Sequence, residues 1–142
     1  MPKTWTAELI LETARAFQPA CILAAAADLD LFSQLVGKRL TAAELAGRLH
    51  TDLRGTAALL DALAALELLE KRADRYALAP GLAELLAAAG PDSILPALQH
   101  QANCLRRWAQ LTDVVVTGRP AERVPSVRGE AGDQAAFVGA MH

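Results

Sequence analysis

The most constraining feature of this chain lies between Thr41 and Pro80. Thr41 and Glu44 stand three residues apart at the head of an apolar pattern, "TAAEL", which is the signature of a capping box. The hydroxyl can accept the N–H of residue 44 while the carboxylate reaches back to that of residue 41. This predicts a helix that carries Leu45 and Leu49 inward. Asp52 then stands where a second helix needs its N-cap. Leu53, Ala57, Leu60 and Ala64 follow on one stripe, with Leu59, Leu63 and Leu66 beside it. In "LLEKRADRYALAP", Leu68 and Leu69 lead into a strand, "ADR" turns, and "YALA" returns with Tyr76 and Leu78 on one face. Two short helices followed by a hairpin outline a winged helix, a shape many proteins use to read DNA.

The charge on this outline argues against that use. From Thr51 to Glu67, where a DNA reader keeps its base contacts, the charged residues are Asp52, Arg54, Asp61 and Glu67. Duplex binding rests mainly on Lys and Arg against phosphates, and one arginine among three acids is poor equipment. The wing has Lys71, Arg72 and Arg75, but Glu70 and Asp74 sit among them, and the plain reading is a solvated hairpin. The formal net charge of the whole chain is −2, which is not the balance of a polyanion binder.

Helices flank the winged outline on both sides. Residues 6–18 place Leu9, Ile10, Thr13, Ala14 and Phe17 near one face. Pro19 breaks or restarts that helix, a second runs through "ACILAAAADL", and a short third ends at Gly37. After Pro80 the pattern predicts a short helix through "GLAELLAAAG". Beyond Gly90-Pro91, one long helix capped by Asp92 or Ser93 spans "ILPALQHQANCLRRWAQLTDVVVTG". Residues 118–132 read as a linker, and "GDQAAFVGAMH" as a final helix. The expected fold is therefore mainly α, a winged helix with additional N- and C-terminal helices.

Composition adds two expectations. Hydrophobic residues make up 53% of 142 and aromatics only 4%; so much Ala and Leu favours helices and leaves apolar surface that one copy cannot hide, which predicts self-association. The two cysteines, Cys21 and Cys104, have no paired spacing, so no disulfide framework or metal site is expected and a reducing, cytoplasmic home is the default. The N-terminus carries no signal-peptide pattern, and the most apolar run, "PACILAAAA", is about half the length of a bilayer-spanning helix, so no membrane segment is expected.

Signatures of catalysis are missing. None of the nine glycines forms a G-x-G pair, and there is no G-x-S-x-G, P-loop or H-E-x-x-H. His100 and Cys104 stand one turn apart on the long helix, but two ligands are too few for a metal; pocket lining or core are the readings that remain. Trp108, beside the cationic Arg106-Arg107, reads as a buried anchor, a pocket wall or part of an exposed edge. Phe137 and Met141, four apart on the last helix, suit core packing or ligand contact. His50 reads only as an offset to the dipole of the helix it follows.

The order of these features resembles a known family. "ARAFQPACILAAAADLDLFSQL", then "LTAAELAGRLHTDLRGTAALLDALAALELLEKRADRYALAPGLAELL", then "LRRWAQLTDVVVTGRP", then "AAFVGAMH" is similar to the N-terminal dimerisation domain of bacterial and plant-like O-methyltransferases that use S-adenosylmethionine. The likeness covers nearly the whole chain and is weakest between Ala121 and Asp133. It implies an intertwined homodimer with Phe17, Cys21 and Ile22 at the seam. It also implies that His100, Asn103, Cys104, Trp108, Phe137 and Met141 face a small aromatic or polyketide-like methyl acceptor. Residues 1–117 would be the dimerisation domain, and 118–142 the linker and helix leading into a catalytic domain outside this chain. That missing domain would hold S-adenosylmethionine and the general base, so the 142 residues alone are expected to be inactive and to bind no cofactor, metal, nucleic acid or membrane. The alternative is a small winged-helix transcription regulator complete in itself; a free-standing interaction module or one part of a split enzyme is a third reading.

Overall fold

A computed structural model describes all residues from Met1 to His142. Thr6 caps α1 (Ala7–Arg15) by accepting the N–H of Leu9, with Glu8 in the first turn and Arg15 in the last. α2 (Phe17–Asp28) follows after the single residue Ala16. The first helix thus ends at Arg15 and not at residue 18. The cause is Pro19, four residues on, which has no N–H for the Arg15 carbonyl and whose ring crowds it. α1 and α2 together form a helical stretch, Ala7–Asp28, with mean hydropathy 1.3 and only 6% of its apolar window buried. By length and composition this stretch is long and apolar enough to cross a membrane, a property that the shorter run "PACILAAAA" does not show and that an apolar helix which packs against other protein shares.

α3 (Leu31–Gln34) is shorter than expected, stopping before Gly37. Next comes β1 (Leu40–Thr41), which the sequence reading did not anticipate. Thr41 also caps α4 (Ala42–Leu49): its hydroxyl accepts from Glu44 N at 3.1 Å and its N–H donates to Glu44 Oε2 at 2.8 Å, the full capping box. These bonds, with Arg75 nearby, hold the Glu44 carboxyl below its usual pKa. His50 closes α4 in the left-handed conformation, φ 53°. Asp52 caps α5 (Leu53–Ala65), accepting from Gly55 N at 2.7 Å.

The hairpin is β2 (Leu69–Arg72) and β3 (Arg75–Leu78), and β1 adds to it antiparallel, giving the order β1-β3-β2 with Leu40 opposite Tyr76 and Leu69 opposite Leu78. Leu31, Phe32, Leu35, Leu45, Leu60 and Leu63 are sealed from solvent between α2–α5 and this sheet, joined by Leu40, Leu69 and Tyr76. Leu53, expected on the inward stripe, is 53% exposed because it opens α5 before the helix reaches the core.

α6 (Ala83–Leu86) leads to α7 (Leu95–Trp108), at whose start Leu95 N donates to Ser93 Oγ. The predicted single long helix is two: α8 (Leu111–Thr117) starts anew after Ala109-Gln110. Gln110 turns its amide onto the returning chain, donating to Glu122 O and accepting from Glu122 N, both at 2.9 Å. α9 (Gly129–Ala140) starts three residues before Gly132, the predicted end of the linker. It lies directly on α7: a Cβ on Gly139 would meet Pro96 Cβ at 2.7 Å.

Candidate functional site

The C-terminal helices build a region where polar and aromatic side chains converge on a cavity beside a buried ionic lock. Asp28 ends α2, where a carboxylate meets the negative end of the helix dipole. Two arginines offset this. Arg106 Nη1 of α7 donates to Asp28 at 2.8 Å, and Arg128 Nη2, just before α9, at 3.3 Å. Arg128 also meets Asp133 of α9 at 3.2 Å. Burial pushes the Asp133 pKa up, but the Ser126 hydroxyl and N–H and the charges of Arg128 and Arg106 outweigh it and leave the carboxyl below its ordinary value. Two anions and two cations thus lock α2, α7 and α9 together.

Beside this lock is a cavity of about 150 Å³ between α7 and α9. α7 contributes His100, Asn103 and Arg107, spaced three and four residues apart on one stripe. α9 contributes Asp133, Gln134 and Phe137, and the connecting segment adds Arg123 and Val124. The Phe137 ring meets the His100 ring edge-on, centroids 5.4 Å apart. Around α7, a second and more apolar groove of about 250 Å³ runs against α2; Leu23, Ala24, Leu98, Ala102 and Leu105 line it.

The six residues assigned to an acceptor pocket therefore do not share one cavity. His100, Asn103 and Phe137 meet at the α7–α9 cavity, whereas Cys104 and Trp108 line the α2–α7 groove. Cys104 Sγ, 3.6 Å from His100 Nε2, sits between the two. Trp108 is 69% exposed and Met141 62%, and Met141 lines neither space. Of the seam residues, Phe17 and Cys21 are exposed, while Ile22 packs against the protomer's own core. Arg107 and Arg123 were missed as cavity residues. The step from His100 through Asn103 could have found Arg107, but Arg123 lies in a segment without periodicity.

On the hairpin the cations are paired with carboxylates. Lys71 binds Asp61 at 2.7 Å, Arg75 approaches Glu44 at 3.3 Å, and Arg72 and Arg39 approach Glu70 at 3.9 and 3.5 Å. The Lys71 hydrogen bond, followed by that from Tyr76, holds the Asp61 carboxyl below its usual pKa.

Comparison with known proteins decides what such a domain belongs to. The model of the O-methyltransferase dimerisation domain matches residues 11–89, more than half of the chain. The chain belongs to this family. It is 36% identical over 140 residues to the tetracenomycin polyketide synthesis 8-O-methyl transferase TcmO of Streptomyces glaucescens, covering 93% of this chain and 41% of that protein. It is 35% identical over 114 residues to the N,N-dimethyltransferase OxyT of Streptomyces rimosus, covering 79% and 33%. Among solved structures, human N-acetylserotonin methyltransferase in complex with SAM superposes with a TM-score of 0.74 at 27% identity, over 99% of this chain and 46% of that one. The dimerisation domain thus spans less than half the length of each of these relatives, and its fold of helices with a small antiparallel sheet is similar to that of the solved structure.

Proposed function

We propose that this dimerisation domain joins two subunits of an S-adenosylmethionine-dependent methyltransferase and walls one side of the methyl-acceptor pocket. In this reading α4, α5 and the β2–β3 hairpin are a winged helix used for assembly. Methyl transfer and the cofactor belong to chain beyond these 142 residues, and residues 118–142 lead toward it. The α7–α9 cavity, at about 150 Å³, is smaller than the several hundred Å³ that ligand-sized sites usually occupy, and the sequence has no G-x-G loop, which supports assigning S-adenosylmethionine to another domain. The names of TcmO and OxyT put oxygen and nitrogen acceptors within the family's range, and the first supports a polyketide-like acceptor here.

The observation that carries the assembly is α1, which buries none of its nine residues. Trp5, Ile10, Leu11 and Phe17 are all at least half exposed. So much apolar surface on one helical stretch and the residue just before its cap calls for a partner. Glu8, Glu12 and Arg15 recur along one side of α1, the pattern of a helix with a wet face, which favours a second protomer over a bilayer. In this homodimer Phe17 and Cys21 lie at the intertwined seam, and Ile22 supports it from within. The two free cysteines suit a cytoplasmic setting. Every wing cation already has a carboxylate within 4.0 Å, so nothing on the hairpin favours a DNA-binding reading.

The test is sedimentation at tens of micromolar, an ordinary concentration range for such assemblies. The wild-type domain sediments as a dimer and Phe17→Asp as a folded monomer. A wild-type monomer at that concentration overturns the proposal.

A further inference from the structure

We propose that the α7–α9 cavity selects acceptors that carry an ionised acidic oxygen, specifically an aromatic carboxylate, and that Arg107 and Arg123 receive it. This rests on reading the cavity as part of the acceptor wall.

The argument begins with charge. In the neighbouring lock, Arg106 and Arg128 are matched by Asp28 and Asp133. Asp133 is the one acid that lines the cavity, and its charge is spent on Arg128 and the Ser126 donors. Arg107 and Arg123 line the same cavity, and neither has a carboxylate within 4.0 Å or a side-chain hydrogen bond. Two unmatched guanidiniums, from α7 and from the segment before α9, therefore converge on one space. Guanidinium forks match a carboxylate in geometry as well as charge.

The rest of the lining suits a ring. Phe137 and His100 form an aromatic corner, and Asn103 and Gln134 supply amide groups at its edge. A cavity on the order of 150 Å³ takes one benzene-sized ring. The cavity thus accommodates one acidic ring of a larger planar acceptor, whose remainder extends out of the open side.

The probes are salicylate and its neutral analogue salicylamide, titrated into the 142-residue chain while the resonances of His100, Asn103 and Phe137 are followed by NMR. Both molecules shift these resonances, and salicylate binds about tenfold more tightly, as charge-assisted bonds to partly screened guanidiniums allow. Its affinity falls as salt is raised. In the double variant Arg107→Gln/Arg123→Gln, whose side chains are both exposed, the preference disappears while salicylamide binding is retained. Equal binding of the two probes to the unaltered chain overturns the charge selection and leaves the acceptor-wall reading standing. If neither probe moves these resonances, or salicylate moves only others, both readings fall.

Discussion

Replacing Asp28 by Asn should destabilise the domain by unpairing two partly buried arginines. Asp28 is only 10% exposed at its side chain and takes the charge-assisted bonds of both Arg106 and Arg128, themselves 25% and 15% exposed. An Asn of the same shape keeps one acceptor oxygen but removes the charge that compensates two partly buried cations. Breaking a buried ion pair by neutralising one partner costs about 3–5 kcal/mol. The lower end applies here, because Asp133 still answers Arg128 and Arg106 keeps some water. A cost of about 3 kcal/mol, divided by an unfolding entropy of about 2.1 cal/mol/K per residue, lowers Tm by roughly 10 °C for a domain of this length. The measurement is thermal unfolding followed by circular dichroism, with both proteins at one fixed concentration because dimerisation adds to apparent stability. The double variant Asp28→Leu/Arg106→Met, which removes a charge of each sign, should recover most of the loss. A Tm within about 3 °C of wild type for Asp28→Asn, well under the shift expected of a 3 kcal/mol loss, would refute the view that this lock holds α2, α7 and α9 together.

Two further outcomes follow from the same helices. Asp133 has its folded-state pKa depressed below the ordinary 3.8, so its contribution to stability is complete above that value and is lost as pH falls through the lower folded value. Acid titration of the wild type should reveal this loss below about pH 4, and Asp133→Asn should flatten that limb of the profile. Alanine at two helical glycines should act in opposite directions. Gly47 on α4 has nothing within 4 Å of a built Cβ, so Gly47→Ala stabilises by about 0.4–1 kcal/mol. Gly139→Ala meets Pro96 Cβ at 2.7 Å and costs about 1–3 kcal/mol of overpacking, less its gain in helix propensity. Denaturant midpoints read both, and a stabilised Gly139→Ala would mean that α9 does not rest on α7 as described.

What was legible in the sequence was mostly what is decided locally. The capping box at Thr41 and Glu44 and the cap at Asp52 act within three residues, and the predicted bonds are present. The hairpin followed from alternation on either side of "ADR", although the turn proper is only Ala73-Asp74 and Arg75 already belongs to β3. β1 escaped notice because two residues carry no period, and its partners Arg75 and Tyr76 lie more than thirty positions away. The break between α7 and α8 was equally hidden, since the clamp from Gln110 to Glu122 is closed by chain that reads as linker. The candidate site shows how far spacing carries. At about 100° per residue, Arg107 lies roughly 20° around α7 from His100, while Cys104 and Trp108 lie roughly 40° and 80° the other way. Residues that look like neighbours in sequence therefore divide between the cavity facing α9 and the groove facing α2. The choice between these faces depends on where α9 and α2 dock, which α7 alone does not encode.

The distribution of paired and unpaired charge makes one argument of the hairpin and the cavity. A surface that takes an anion must offer cations whose charge is not already spent, because exchanging an internal carboxylate for a phosphate gains little. On the hairpin, Lys71, Arg72 and Arg75 are each committed to Asp61, Glu70 or Glu44. The Lys71–Asp61–Tyr76 bonds further tie the hairpin to α5, the helix a DNA reader would insert into a groove. Those cations thus stiffen the fold. Further along the chain the relation is inverted: Arg106 and Arg128 absorb the local acids and hold three helices in register, which leaves Arg107 and Arg123 unspent over a cavity with an aromatic wall. The same residue type serves two ends, and the carboxylates around it decide which. On this argument the anion-responsive surface of the domain is the cavity and not the hairpin, and neutralising Asp28 would disturb it through the positions of α7 and α9 without touching Arg107 or Arg123.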